Sequence, residues 1–209
     1  MNRIPRTATV AITIVTALAW LAAVLSGYGD RAAIVLGFIP ARFSGLVNVT
    51  PAVPAFLTPF SATLAHAGPY HVAFNLLMFV WCGTQVDRVL GKTGLVILYL
   101  VGAYASAMAQ WAVNPASLTP MIGASGAISA VVGAFALSFG RAKAFTNNLR
   151  INRWINVVWL FVAWVVLQVM MGWLAGGQGF LLATPAHIGG FAVGLLLQRP
   201  LLLWHYRKA

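Results

Sequence analysis

Acidic residues are almost missing from this chain. Its 209 residues contain no Glu and only two Asp, Asp30 and Asp87, against 13 Lys and Arg. That scarcity excludes chemistry. Metalloprotease sites of the His-Glu-x-x-His kind need a Glu as general base. A paired-carboxylate site needs two acids side by side, and the topology below puts Asp30 and Asp87 at opposite membrane faces. Cys82 is the only cysteine, so no internal disulfide forms. It sits mid-helix and reads as a small buried apolar residue. No internal repeat is visible, and intramembrane charges are absent, so a transporter lacks its usual marks.

Apolar sequence is abundant instead. The chain is 61% hydrophobic and 7% charged, more apolar than a soluble domain of this size requires. Runs of about 20 apolar residues, long enough for a ~30 Å hydrocarbon core, recur six times. The spacing predicts one all-α polytopic bundle: 1–6 inside, then spans at 7–26, 70–88, 93–113, 120–139, 154–174 and 182–204, and an inner tail, 205–209. The stretch 27–69 is an outer interfacial loop punctuated by Pro40, Pro51, Pro54, Pro59 and Pro69, too apolar to be plain solvated chain. Of the 13 basic residues, only Arg31 and Arg42 fall in outer segments. This is the positive-inside pattern. It accounts for the net charge of +11 and leaves no basic stripe for nucleic acid. The first apolar run exceeds a signal-peptide core and is expected to be a retained helix. With little chain before it for an organelle transit peptide, the expected location is a bacterial plasma membrane, with both termini cytoplasmic.

The fourth run is short. From Ala124 to Phe139 a helix spans ~24 Å at 1.5 Å per residue. It must start below the outer surface, where irregular backbone is tolerated only inside protein or beside water. At that depth the odd polar residues gather. His71 and Asn75 open the second span, Ser125 the fourth and His187 the sixth. All three spans descend from the outside, so their N-terminal ends share one layer.

That layer suits acyl transfer. Helix N-termini carry free N–H groups and positive partial charge, which favour a developing oxyanion. A serine needs a base to attack at neutral pH, and imidazole is the usual choice. His71 and Asn75 share one helix face at i, i+4, and each has a hydrogen to donate. Gly123 and Gly126 flank Ser125 and allow close approach. His187, Gly190 and Gly194 form one stripe, and Ser125, Ser129 and Gly133 another; such small-residue stripes pack closely in membranes. Asp30 could complete a triad, but a Ser-His pair suffices. His66 reads as a structural hydrogen-bonding residue, and His205, in the basic tail, is too far away to join. These residues call for no metal and no cofactor.

Three motifs, His66-x4-His71-x3-Asn75, Gly123-Ala124-Ser125-Gly126 and Ala186-His187-x2-Gly190-x3-Gly194, match the rhomboid intramembrane serine proteases in order, spacing and helix assignment. The chain resembles that family over about 56–200. The resemblance implies the basic six-helix form, Ser125 as nucleophile, His187 as base, and an oxyanion site from His71, Asn75 and the Ser125 amide. Two features depart from the family pattern. No Trp-Arg pair precedes His66, and Ser129 stands where an aromatic residue often packs on the histidine. The expected activity is peptide-bond hydrolysis in or near transmembrane segments of other proteins, with the lipid bilayer as surroundings. The rival class is a non-catalytic membrane protein, either a pseudoprotease or a transporter.

Overall fold

The computed structural model describes residues 8–139, 146–174 and 184–207. Its regular structure is helical; the one β pairing among the described residues is an isolated bridge between Phe38 and Met121. Helix α1 is Ala8–Leu25. The outer stretch holds three short helices, α2 (Gly29–Leu36), α3 (Pro40–Phe43) and α4 (Thr58–Ser61), with single 3₁₀ turns on either side of α4. Then come α5 (Pro69–Val113), α6 (Ser125–Phe139), α7 (Leu149–Leu174) and α8 (Thr184–His205). Among the described residues α1, α5, α7 and α8 are long and apolar enough to cross a membrane.

The expected second and third spans are one continuous run, α5, broken at a single residue. Gly91 has φ 71° and ψ 166°, outside the helical region. Phe79 and Tyr99 pack with ring centroids 5.3 Å apart. Twenty residues of straight helix would separate them by ~30 Å, so the chain reverses at Gly91 and α5 is a helical hairpin. The turn expected at 89–92 is thus one residue wide. His205, at the end of α8, covers it: a Cβ on Gly91 would lie 2.5 Å from the imidazole Cε1.

The fourth helix begins at Ser125, one residue after the expected Ala124; ahead of it, Met121 exchanges backbone hydrogen bonds with Phe38. The fifth begins at Leu149 rather than 154. Asn148 accepts hydrogen bonds from the N–H groups of Arg150 and Ile151 at 2.9 and 3.3 Å, as an N-cap does. Arg150 and Arg153, read as loop, therefore belong to the first turns of α7.

Helix α6 sits at the centre, with residues Gly126 to Ala134 all buried. It meets α8 backbone to backbone. A Cβ on Gly190 would strike the Gly126 carbonyl oxygen, and one on Gly194 the Ala130 carbonyl oxygen. No residue larger than glycine fits there without separating the helices. At the far end of the first α5 arm, Asp87 takes hydrogen bonds from both the backbone N–H and the Oγ1–H of Thr9, each at 3.2 Å. Both residues are buried, so the carboxylate ties α1 to the bundle and faces the positive end of that helix. Asp87→Ala strands two buried donors. It is expected to cost about 1–3 kcal/mol, and Asp87→Asn, which keeps an acceptor, less; thermal unfolding in detergent measures both.

Candidate active site

Ser125 is the first residue of α6 and His187 the fourth of α8. The glycine seam between these helices sets their starts side by side. Ser125 Oγ lies 2.9 Å from His187 Nε2, a distance for transfer of the serine proton to the ring. Gly123 makes the entry turn with φ 108°, a conformation that favours glycine. The His71 ring fills the space a side chain there would take, since a Cβ would lie 2.7 Å from His71 Nε2.

His71 and Asn75 stand at the start of α5 on the same side of the site. The Ala67 N–H points at His71 Nδ1 from 3.4 Å. With Nδ1 accepting, the neutral ring carries its proton on Nε2, the atom against Gly123. Asn75 is fully buried and donates one amide hydrogen to the His71 carbonyl at 2.9 Å. Its second amide hydrogen remains for another acceptor. His66 packs edge-on against His71, with centroids 5.0 Å apart, and its Nε2 faces the Ala124 N–H at 3.4 Å. Burial, with His71 beside it, lowers His66 to about 3, so the ring is neutral across the physiological range and keeps that lone pair. His205 lies at the opposite end of the bundle, on the Gly91 turn.

Beside Ser125 a small recess opens between α5, α6 and the outer stretch, lined by Thr63, Ala103, Ser106, Ile122, Gly126 and Ala186 among others. Ser106 stands against both Gly126 and Gly190.

Sequence reasoning missed two residues, both on α7. Trp164 is 1% exposed. Its Nε1–H donates to Ser129 Oγ at 2.8 Å, and that hydroxyl donates to the Ser125 carbonyl at 2.8 Å. The indole also meets the His187 ring edge-on, at 6.5 Å and 70°, and stacks on Phe74 at 6.0 Å and 14°. One turn later, Gln168 Nε2 lies 3.4 Å from His187 Nε2. The aromatic ring lacking at position 129 thus reaches the histidine from another helix. The signal was present as an i, i+4 Trp-Gln pair in a run whose other polar side chain is Asn156.

Comparison with known proteins bears on the whole arrangement. The family model described as Rhomboid domain matches residues 54–204, well over half of the chain. The chain belongs to the rhomboid family. Among curated rhomboid relatives, RHOMBOID-like protein 4 of Arabidopsis thaliana is 28% identical over 144 residues, 68% of this chain and 33% of that protein. Rhomboid protease GlpG of Haemophilus influenzae is 28% identical over 136 residues, 65% of each chain. Rhomboid protease GlpG of Pectobacterium atrosepticum is 30% identical over 142 residues, 66% of this chain and 46% of that one. The match therefore spans between one third and two thirds of these rhomboid relatives. Family and apolar helices together make this rhomboid an integral, multi-pass membrane protein.

Proposed function

We propose that the chain is an intramembrane serine endopeptidase that hydrolyses peptide bonds in or near transmembrane segments of other proteins. The observation that carries this is the 2.9 Å contact between Ser125 Oγ and His187 Nε2, at the start of a buried helix. His187 Nε2 takes the hydroxyl proton as Ser125 Oγ attacks the scissile carbonyl carbon. The carbonyl oxygen becomes an oxyanion, held by the Ser125 backbone N–H, His71 Nε2–H and the second amide hydrogen of Asn75. His187 then gives its proton to the departing amine, leaving an acyl-serine. Water, deprotonated by His187, attacks that ester and restores Ser125.

The proposal includes six membrane crossings. Residues 69–90 and 92–113 are each ~33 Å long as helix, enough for one crossing apiece, and α6 is the short central one. The positive-inside pattern supports both termini in the cytoplasm and the site near the outer face, from which water enters. Gly123, Gly126, Gly190 and Gly194 let backbone and substrate come close. Substrates reach the site sideways from the lipid. Helix α7 is the gate, because it has no small-residue stripe with which to lock onto its neighbours. The turn at 175–181, with Gly176, Gly177 and Gly179 as hinges, lies outside the described residues.

A fluorophosphonate applied to the protein in detergent tests this directly. Peptide mapping should find the adduct on Ser125, and vesicles holding a single-span membrane protein should show its cleavage. A folded wild-type protein that takes no label at Ser125 and cuts none of a panel of such proteins sinks the proposal.

A further inference from the structure

His187 lacks what usually orients a catalytic imidazole. Its Nδ1 is buried, and among the described residues it has no hydrogen-bond partner. With Ser125 on Nε2, that buried nitrogen carries the ring proton, and no hydrogen bond at Nδ1 fixes the plane of the ring. Apart from the contacts at Nε2, rotation about the side-chain bonds is limited by packing. The large group that packs on the ring from α7 is Trp164, edge-on at 6.5 Å.

Trp164 is itself held on two sides. Phe74 of α5 stacks on one face. Ser129 of α6 takes its Nε1–H at 2.8 Å. That same Ser129 hydroxyl is bonded to the carbonyl of Ser125, so the indole is tied to the turn that carries the nucleophile. On the outward faces of α7, Val158, Trp159 and Met170 are all exposed.

We propose that Trp164 is a positioning residue for His187, and that it makes the alignment of the Ser125–His187 pair depend on α7 being seated against the bundle. The inference rests on the protease reading above. Its chemical content is specific. When α7 is seated, the indole keeps the imidazole facing Ser125. When α7 moves to admit a substrate helix, the ring loses its support, and the base is competent again only on reseating. Gln168 strengthens the dependence, since its amide N–H and the Ser125 hydroxyl converge on the same ring lone pair. Opening and chemistry then exclude one another in time, which limits stray hydrolysis by an open site.

The test uses a small fluorophosphonate, which reaches Ser125 from water and needs no movement of α7. The maximal inactivation rate and the half-saturating concentration are measured on the full chain in detergent. Trp164→Ala should lower the maximal rate about tenfold or more while the half-saturating concentration stays within about twofold. Trp164→Phe, which keeps a ring over the imidazole, should recover most of the rate. Phe161→Ala is the control. Phe161 lies on the same helix and packs on Phe191 of α8 at 4.8 Å, so its loss trims one aromatic contact of α7 but leaves Trp164 with its contacts to Phe74, Ser129 and His187; its rate should stay within about twofold of wild type. If thermal unfolding shows the Ala variant to be unfolded, Trp164→Leu fills the space without a ring, with the same tenfold loss expected. Wild-type inactivation rates in Trp164→Ala or Trp164→Leu overturn the proposal, as does an equal loss in Phe161→Ala. A wild-type protein that does not label at Ser125 fails earlier, and that outcome strikes the protease reading instead.

Discussion

Replacing Ser125 by Ala is expected to abolish cleavage while the protein stays folded. The change removes one oxygen and raises helix propensity at the start of α6, and the glycine seam with α8 is untouched. His187→Ala should fall by a similar factor, at least roughly 10⁴-fold, because nucleophile and base act as a unit. The double variant should lose little beyond either single one. Turnover of a single-span membrane substrate by the four proteins, compared at equal folded concentration, makes the check. Losses that multiply would mean that the 2.9 Å contact is not a catalytic one.

The second large effect is expected at the other wall of the site. His71→Ala and Asn75→Ala should each lower kcat by about 10²–10³, the usual loss for one oxyanion donor, and leave KM nearly unchanged. The two donors differ in how they are held. His71 presents its ring against Gly123, whereas Asn75 already spends one amide hydrogen on the His71 carbonyl. Asn75→Asp keeps the shape and removes the donor, so it should lose as much as Asn75→Ala. If the variants raised KM alone, the pair would be helix-packing residues.

Much of this site was legible in the sequence for one physical reason. In a chain with so little charge, a Ser, His or Asn inside an apolar run is costly to place and stands out. Ser125, His187, His71 and Asn75 were found that way. The same reason should have marked Gln168, yet a run in which Asn156 and Gln168 are the only polar side chains has no amphipathic stripe to fix its rotation. Nothing in 154–174 told which residues face the bundle, so Trp164 and Gln168 could not be joined to His187. Interface tryptophans are common in membrane helices, and Trp164 did not stand out among its neighbours. The fold was legible at the level of apolar runs, and less so in the residue-by-residue detail between them. The Gly91 reversal is a single residue wide, and the 120–124 stretch is apolar but tied by Met121 to Phe38. Hydropathy sees neither, because both are set by backbone hydrogen bonding and torsion.

The glycine contacts between α6 and α8 have a thermodynamic consequence for the reacting pair. Where Gly190 and Gly194 meet carbonyl oxygens of α6, closure freezes no side-chain rotamer and costs almost no side-chain entropy. Weak Cα–H···O contacts and dispersion hold that seam. The α7 seam closes by ordering an indole and a glutamine, and so it carries an entropic penalty that grows with temperature. Warming should therefore loosen α7 before it parts the two helices that bear Ser125 and His187, and those two side chains keep their spacing while the wall beside them melts.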